Sequence, residues 1–500
     1  MHKFRPRAAL ARHPPPVRRF AVRGPMAEAA LVVRKLPGDA TANDVRKAFE
    51  PFCVVTNVEV EGTTGPGVAI VTIETAKPEF VRDEMNGATV GGRRITVKLA
   101  SSKAPAQKPS TKQPRRDDSR AAAIELNKLI VSSGTAADVL SLFESKGDDF
   151  NYVNFATSLH RLGVLGRSFG KSSRPLFHKL VDRTTSSIIN ESNLWKSREL
   201  SNACWGIVKI GNVEAPALFE AVAAEAQKKI ATFNPQELAN TVWAYSTAGV
   251  EAPALFEAVA AEAPKKIAMF NPQELANTVW AYSTAGVEAP ALFEAVAAES
   301  SKKIAMFNPQ ALANTVWAYS TAGVEAPALF ETVAVRIEAE MSNFSHENVS
   351  QLHQVYIHLQ LEAPQHALTL LLSRHETELR AAYLSQEPRP SQTQREVSAA
   401  LACIGWAHEF EYVTPEGISL DMAQPALKFA VEFDGPTHYL VGASDGSRRV
   451  LDGKSKSKER LLRRLGWKLV RVPYFEWMKL RSSADREAYL HDRTSAEGSM

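Results

Sequence analysis

Apolar and polar positions fall into three rhythms along this chain. From 28 to 100, short β-branched runs alternate with helical stretches. Leu31 to Leu36, Val54 to Val60, Val68 to Thr75 and Ile95 to Leu99 predict strands, and Ala42 to Phe52 and Lys77 to Met85 predict helices, in a βαββαβ order. From 121 to 385 the period turns helical, opening with Ile124, Leu126, Leu129 and Ile130, then Val139, Leu140, Leu142 and Phe143. Inside this stretch a block recurs every 37 residues: the segments starting at Phe233, Phe270 and Phe307 each begin Phe-Asn-Pro-Gln and run on to Trp-Ala-Tyr-Ser-Thr-Ala-Gly-Val-Glu-Ala-Pro. Such a period predicts a solenoid of stacked helical hairpins, because one unit of that length cannot bury its own apolar face. Phe155 with Leu159, and Trp195 with Leu200, Asn202 and Trp205, echo the block upstream as diverged capping units, and Phe344 to Glu362 echoes it downstream. From 411 to 485 the pattern is mixed α/β, with strands at Ile418 to Ala423, Lys428 to Asp434 and Trp467 to Val472 and a basic helix at Lys458 to Leu465. The remaining segments predict no packing: 1–27 a basic arm, 101–120 a Pro-, Ser-, Lys- and Arg-rich flexible linker, 386–410 a connecting segment, and 486–500 a disordered tail.

Each repeat spells out its own ends. Asn234 is an N-cap, Pro235 occupies the first helical position where its missing N–H costs nothing, and Glu237 completes a capping box. Gly249 stops the first helix and Pro253 opens the second, whose last turn carries Lys265 and Lys266, favourably placed for the helix dipole. Leu238, Val242 and Tyr245 share a stripe with Ala239 and Trp243 beside it, and these predict the core between units. Asn240 lies on the opposite side, so Asn240, Asn277 and Asn314 should line up along one polar surface. Amides in such a row can hydrogen-bond base edges, one unit per nucleotide.

Charge alters this picture. The net charge is +4, but the stretch from Glu214 to Asn343 holds 15 Glu against 6 Lys and 1 Arg, while Gly446 to Arg481 holds 12 Lys and Arg against 3 acids. Acidic repeats are a poor phosphate anchor. Only the pairs Lys228-Lys229, Lys265-Lys266 and Lys302-Lys303 offer them a positive ridge. The first 27 residues carry seven Lys and Arg and no acid, which reads as an organelle transit peptide or a basic arm. Cys53, Cys204 and Cys403 lie far apart, which argues against a disulfide framework or a zinc ribbon. No apolar run is long enough to span a membrane.

Resemblances to known families give these blocks chemical content. Met85-Asn86-Gly87 and the run Gly91 to Val97 resemble the last hairpin and edge strand of an RNA-recognition motif. That family stacks bases on strand aromatics, whereas Val32, Val68 and Ile70 stand at the corresponding places here. The resemblance therefore implies weak RNA contact through Arg34, Lys35, Arg93 and Arg94, or protein binding. The C-terminal block resembles the RAP domain through Val431-Glu432-Phe433-Asp434-Gly435-Pro436-Thr437-His438, the lysines and arginine at Lys454, Lys458 and Arg460, Leu465-Gly466-Trp467, and Val472-Pro473-Tyr474 with Glu476-Trp477. RAP domains follow helical repeats in proteins acting on RNA in mitochondria and chloroplasts, and the repeats resemble the heptatricopeptide and octotricopeptide class. The fold class implied is an α+β RNA-recognition-like module, an α-helical solenoid and a restriction-endonuclease-like α/β domain. That last similarity implies acids at strand ends: Asp421, Glu432 and Asp434 as catalytic candidates with Lys454 or Lys458 as the lysine, and Asp421 and Glu432 as ligands to Mg²⁺.

The expected function is an organelle RNA-binding protein, mitochondrial or alternatively chloroplast, acting in RNA processing, stability or ribosomal RNA maturation. The repeats would select single-stranded RNA through Asn240, Asn277 and Asn314, and Lys454, Lys456, Lys458, Arg460, Arg463 and Arg464 would grip phosphates. Ribonucleoprotein or ribosome-assembly partners follow from that reading, and no cofactor is expected unless Mg²⁺ serves a nuclease. The alternatives are that metal-dependent endoribonuclease and a protein-binding scaffold.

Overall fold

The computed structural model describes residues 27–498 apart from 38–39, 51–52, 62–66, 76–80, 82–84, 87, 91–92, 100–115, 167–169, 171–172, 212–213, 386–389 and 443–445. The basic arm over 1–26, most of the predicted helix at Lys77 to Met85 and the linker over 101–115 lie outside the described residues. The chain divides into two compact units, 1–113 and 114–500.

The first unit is a small antiparallel sheet with helices. Its strands are β1 (Ala27–Leu36), β2 (Val54–Glu61), β3 (Gly67–Thr75), the short pair β4 (Thr89–Val90) and β5 (Arg93–Arg94), and β6 (Thr96–Leu99), and the main sheet runs β2-β3-β1-β6. Period-two alternation sends Leu31, Val33, Ala69, Val71, Ile73 and Val97 inward against Val45 and Phe49 of the helix Ala42–Phe49. Thr41 caps that helix, accepting from Asp44 N. Val32 and Ile70, cross-strand partners, stand half-buried on the outer face, which has an aliphatic side chain at both positions.

In the second unit, helical hairpins stack with first helices against first helices and second against second. The first helices are Tyr152–Leu165, Ser197–Ile210, Pro235–Ala248, Pro272–Ala285, Pro309–Ala322 and His346–Glu362. The second helices following them include Pro216–Lys229, Pro253–Lys266, Pro290–Lys303 and Pro327–Glu340. Asn234 Oδ1 accepts from Glu237 N at 2.9 Å while Glu237 Oε2 accepts from Asn234 N at 2.9 Å, and Asn271 with Glu274 repeats the box. The third repeat has Ala311 where the others have Glu, so only the Asn308 half remains. Gly249, Gly286 and Gly323 end the first helices at φ between 64° and 68°, a left-handed conformation that glycine adopts without a Cβ penalty.

Three tyrosines bolt unit to unit. Tyr245, Tyr282 and Tyr319 are fully buried, and each hydroxyl donates to a carbonyl 26 residues upstream, Phe219, Phe256 and Phe293, at 2.5, 2.5 and 2.6 Å. The lysine pairs serve the same end. Lys266 Nζ reaches Ala231 O of the preceding unit at 2.7 Å and Phe233 O at the start of its own at 2.8 Å and pairs with the buried Glu262, and Lys303 does likewise with Ala268, Phe270 and Glu299. The positive ridge expected from these pairs is therefore corrected: Lys229, Lys266 and Lys303 lock the stack, and all three pairs sit on second helices, away from the asparagine-bearing ones.

The C-terminal sheet runs β13-β10-β9-β8, built from β8 (Glu409–Val413), β9 (Ser419–Gln424), β10 (Phe429–Asp434) and β13 (Lys468–Pro473), with β10 and β13 parallel. One face packs Val431, Phe433, Val470 and Val472 against Val397, Leu401 and Leu490. Those last three belong to the helices Gln392–Cys403 and Ser483–Gly498, so the expected connecting segment and disordered tail are in fact helices of the core. Tyr489 and Leu490 are too few to make a period in sequence, yet Leu490 is fully buried and Arg493 pairs with Glu476 at 2.5 Å. The other face packs Ala423 and Ala430 under Leu461 and Leu462 of the basic helix Gly453–Arg464 and under Ile357 of the solenoid. A hairpin of β11 (Tyr439–Gly442) and β12 (Arg449–Leu451) extends to β7 (Val250–Glu251), the turn of the first full repeat, where Val441 N donates to Gly249 O at 2.8 Å. No helix among the described residues is long and apolar enough to cross a membrane.

Candidate nucleic-acid interface

Asn240, Asn277 and Asn314 occupy equivalent positions of consecutive first helices, each half-buried. The row continues into the next unit, where Gln351 Nε2 donates to Asn314 Oδ1 at 3.1 Å. Beside it runs a second row that sequence reasoning assigned to the core. Trp205, Trp243 and Trp280 are only half-buried, whereas Trp317, 4% exposed, is in the core as expected. A residue three positions after the asparagine stands 60° short of a full turn from it, so indole and amide share one helix face. Tyrosine takes the core place instead. The Trp280 and Trp317 rings lie 6.3 Å apart, His160 stacks on Trp205 at 4.8 Å, and Lys209 Nζ sits 5.6 Å over Trp205 and 4.9 Å over Trp243. Trp317 Nε1 donates to Gln354 Oε1 at 2.9 Å, which carries this row too into the following unit. The result is a ladder of flat π faces and amides at repeat spacing.

The basic helix Gly453–Arg464 is turned onto the solenoid. Lys456 Nζ donates to Gly286 O at 3.0 Å. Arg460 donates to Ser320 O at 2.7 Å, to Thr321 O at 3.1 Å and to Glu362 at 3.0 Å. Arg464 reaches Leu361 O at 3.2 Å. These acceptors are the carboxyl ends of three successive first helices, where the helix dipole concentrates negative charge. Arg463 pairs with Glu459 within its own helix, and Lys458 pairs with Glu432 of the sheet. Of the six basic residues proposed for phosphate contact, Lys454 alone among the described residues has no carboxylate or carbonyl partner. It is exposed, with Nζ 5.6 Å over the Trp317 ring.

The acid candidates separate into two groups. Asp421 and Glu432 face each other across β9 and β10: Asp421 Oδ2 accepts from Phe433 N at 2.8 Å, and Glu432 Oε1 accepts from Asp421 N at 3.1 Å. Lys458 closes the remaining Glu432 oxygen. Asp434 is elsewhere, fully buried and held by Arg471 at 2.7 Å and the Tyr439 hydroxyl at 3.1 Å. Lys454 joins neither group. Sequence reasoning missed Glu411, which follows from the β8–β9 register as the cross-strand neighbour of Asp421 and sits at φ 55°, an uncommon conformation for glutamate. Nothing in its local sequence announces this.

Crowding of like charge shows in the titration of the group. Burial, then the charge of Glu432, pushes Asp421 up to about 7, and the same two causes raise Glu411. Burial alone would lower Lys458, but Glu432 and Asp421 outweigh it and hold the ammonium above its usual range. Mg²⁺ asks for octahedral oxygen ligation. Among the described residues no three Asp, Glu, His or Cys side chains converge to hold a metal ion. Three of the four oxygens that Asp421 and Glu432 would offer are already engaged by Phe433 N, Asp421 N and Lys458, which leaves too few for octahedral ligation, so the arrangement does not fit a divalent cation.

Two family models match these same two regions. The family model described as RAP domain matches residues 431–493, running into the terminal helix. The model described as RNA-editing substrate-binding complex 6 protein matches residues 187–377, which span the repeats. FAST kinase domain-containing protein 5, mitochondrial, from Homo sapiens is 35% identical over 74 residues, and its Mus musculus counterpart 32% over 74 residues. Each match covers 14% of this chain and 9% of the relative. The chain thus carries a region similar to the RAP domain at 431–493, and its helical-repeat region is similar to the RNA-editing substrate-binding complex 6 family.

Proposed function

We propose that this chain is an organellar RNA-binding protein, acting in RNA processing, stability or ribosomal RNA maturation, and that single-stranded RNA lies along the first-helix face of the solenoid. The observation that carries this reading is the paired ladder of Asn240, Asn277 and Asn314 with Trp243, Trp280 and Trp317, which offers hydrogen-bonding edges and stacking faces at one interval. The two family models support it, one named for RNA-editing substrate binding, and the mitochondrial relative favours the mitochondrion over the plastid. RAP residues that were expected to grip phosphates act mainly as an internal clamp in this reading, with Lys209 and Lys454 left facing the ladder. The N-terminal sheet, with Val32 and Ile70 outward, supplies at most weak RNA contact or a protein contact.

Titrating the full chain with short single-stranded RNAs at low salt tests the proposal. Binding is expected, and substituting all three asparagines by alanine should flatten its sequence preference, each lost base contact being worth about 1 to 3 kcal/mol. Absence of binding at low salt refutes the RNA reading and leaves the scaffold. The cleavage reading has one observation in its favour, the row Glu411, Asp421 and Glu432 beside Lys458. Because that row does not fit a metal, RNA incubated with the protein and Mg²⁺ should stay intact.

A further inference from the structure

We infer that the cavity between the solenoid and the C-terminal sheet is a nucleobase pocket, which takes one unpaired base of the bound RNA and prefers a base bearing a ring carbonyl. This rests on the RNA reading above and adds where the strand ends its run along the ladder. The cavity, about 220 Å³, is lined by Trp317, Gln354, Tyr383, Ser419, Lys454 and Lys458 among others. It is smaller than the roughly 300 to 1,000 Å³ of drug-sized sites. A single ring system suits it and a folded RNA element does not.

Position is the first argument. Gln354 stands one repeat beyond Trp317, so the cavity occupies the next rung of the tryptophan row. The basic helix and Ser419 of the sheet form its far wall. A strand laid on Asn240, Asn277 and Asn314 meets that wall here and can go no further along the face.

The lining supplies the second argument. The indole of Trp317 and the ring of Tyr383 offer π surfaces, and Ile357, Ile418 and Leu461 keep the floor apolar. Gln354 spends its Oε1 on Trp317 Nε1, and among the described residues its Nε2 has no acceptor. An amide donor in the cavity lining matches a carbonyl oxygen of uracil, cytosine or guanine, whereas adenine offers only ring nitrogens as acceptors. Lys454 rests over the indole with no anion beside it. On entry of a base, the ammonium moves from the ring to the phosphate of the same nucleotide, and the base takes the stacking face.

The test uses the full chain and short single-stranded RNAs carrying 5-iodouridine at one position at a time. Irradiation should crosslink one position, and only that one, to the peptides holding Trp317, Gln354 or Tyr383. An abasic site there should weaken binding about five- to hundredfold, the range for one stacked base. Adenine there should bind more weakly than uracil. In Lys454→Ala combined with Gln354→Ala the adenine penalty should vanish and the abasic penalty shrink, while circular dichroism shows the fold retained despite the lost acceptor for Trp317 Nε1. RNA that binds but crosslinks only elsewhere, or an abasic penalty equal in both proteins, overturns the pocket and leaves the ladder standing. RNA that fails to bind at low salt overturns both.

Discussion

Gly453→Ala is the sharpest test of how the C-terminal region is held. A Cβ at this position would lie 1.6 Å from Ser283 O and 2.9 Å from Gly286 N, and both are backbone atoms that cannot swing aside. Carbon and carbonyl oxygen come no closer than about 3.3 Å, so the basic helix must retreat by about 1.7 Å at its start. Overpacking of that kind costs about 1 to 3 kcal/mol. The retreat also stretches the 3.0 Å bond from Lys456 to Gly286 O, a charge-assisted bond worth about 1.5 to 3 kcal/mol. Together these come to roughly 2.5 to 6 kcal/mol, a large share of the roughly 5 to 15 kcal/mol that holds a domain folded. The variant should therefore undock before the solenoid unfolds. Hydrogen exchange should rise in 453–464 and at the helix ends around Gly286 and Thr321, while Pro235–Ala248 keeps its protection, and calorimetry should show an early separate transition. Gly446→Ala, where nothing lies within 4 Å, is the control. Wild-type exchange and a single unshifted transition in Gly453→Ala would refute the docking argument.

Other outcomes follow from the same contacts. Tyr282→Phe leaves Phe256 O buried without its 2.5 Å donor and should cost about 1 to 3 kcal/mol in denaturant melts, with the fold retained by circular dichroism. Arg460→Lys keeps the charge but cannot fork to Ser320 O, Thr321 O and Glu362 together, and should speed exchange in the basic helix without lowering the melting of the repeats. Asp421 in the fold titrates near 7, against about 3.9 unfolded, so between those values the native state binds the extra proton and stability falls as pH rises. Asp421→Asn keeps an acceptor for Phe433 N and has no proton to lose. It should match wild type near pH 4 in denaturant melts and exceed it by a few kcal/mol above pH 7, the gap between them widening by at most about 1.4 kcal/mol for each step of one pH. The groups facing Asp421 are Glu432, Glu411 and Lys458. Buried His353 and His358, held down to about 4 and about 3 by burial and by Arg380 and Arg460 respectively, impose the opposite slope on both proteins and cancel in the comparison.

The solenoid was legible because its information is local and repeated. Asn234, Pro235 and Glu237 specify a helix start, Gly249 a stop, and the 37-residue return of Leu238, Val242 and Tyr245 a core stripe. Trp243 was misplaced because an aromatic one step from the core stripe fits either the core or its margin, and only the neighbouring helix decides. Terminal helix Ser483–Gly498 was missed for want of a period, as its anchors are Leu490 and two polar contacts to Glu476. Pairing of Asp421 with Glu432 was legible only through the resemblance to the restriction-endonuclease-like fold. That Lys458, rather than Lys454, completes the pair was not, since both lie on one short helix and only its pitch against the sheet separates them.

What no sequence pattern could announce is that the basic pole is answered from within the chain. Its acceptors are main-chain carbonyls at Gly286, Ser320, Thr321 and Leu361, which every residue possesses. Lys456, Arg460 and Arg464 stand at i, i+4 and i+8, so they share one stripe and are spaced about 6 Å apart along the helix axis. The helix ends they meet belong to helices packed at about 8 to 10 Å. Side-chain reach has to make up the growing difference. The first contact, where Gly453 brings the backbones together, is met by a lysine, and the later two are met by arginines whose forked ends can reach two carbonyls or a carbonyl and Glu362. The basic surplus of the C-terminal block is thus taken up largely by main-chain carbonyls of the solenoid and by Glu362, while Glu225, Glu262 and Glu299 pair with lysines of their own helices. Charge balance alone would have sent RNA to the basic helix, whereas the contacts that helix makes send it to the adjoining, unengaged stretch of the first-helix face, where amides, indoles, Lys209 and Lys454 remain.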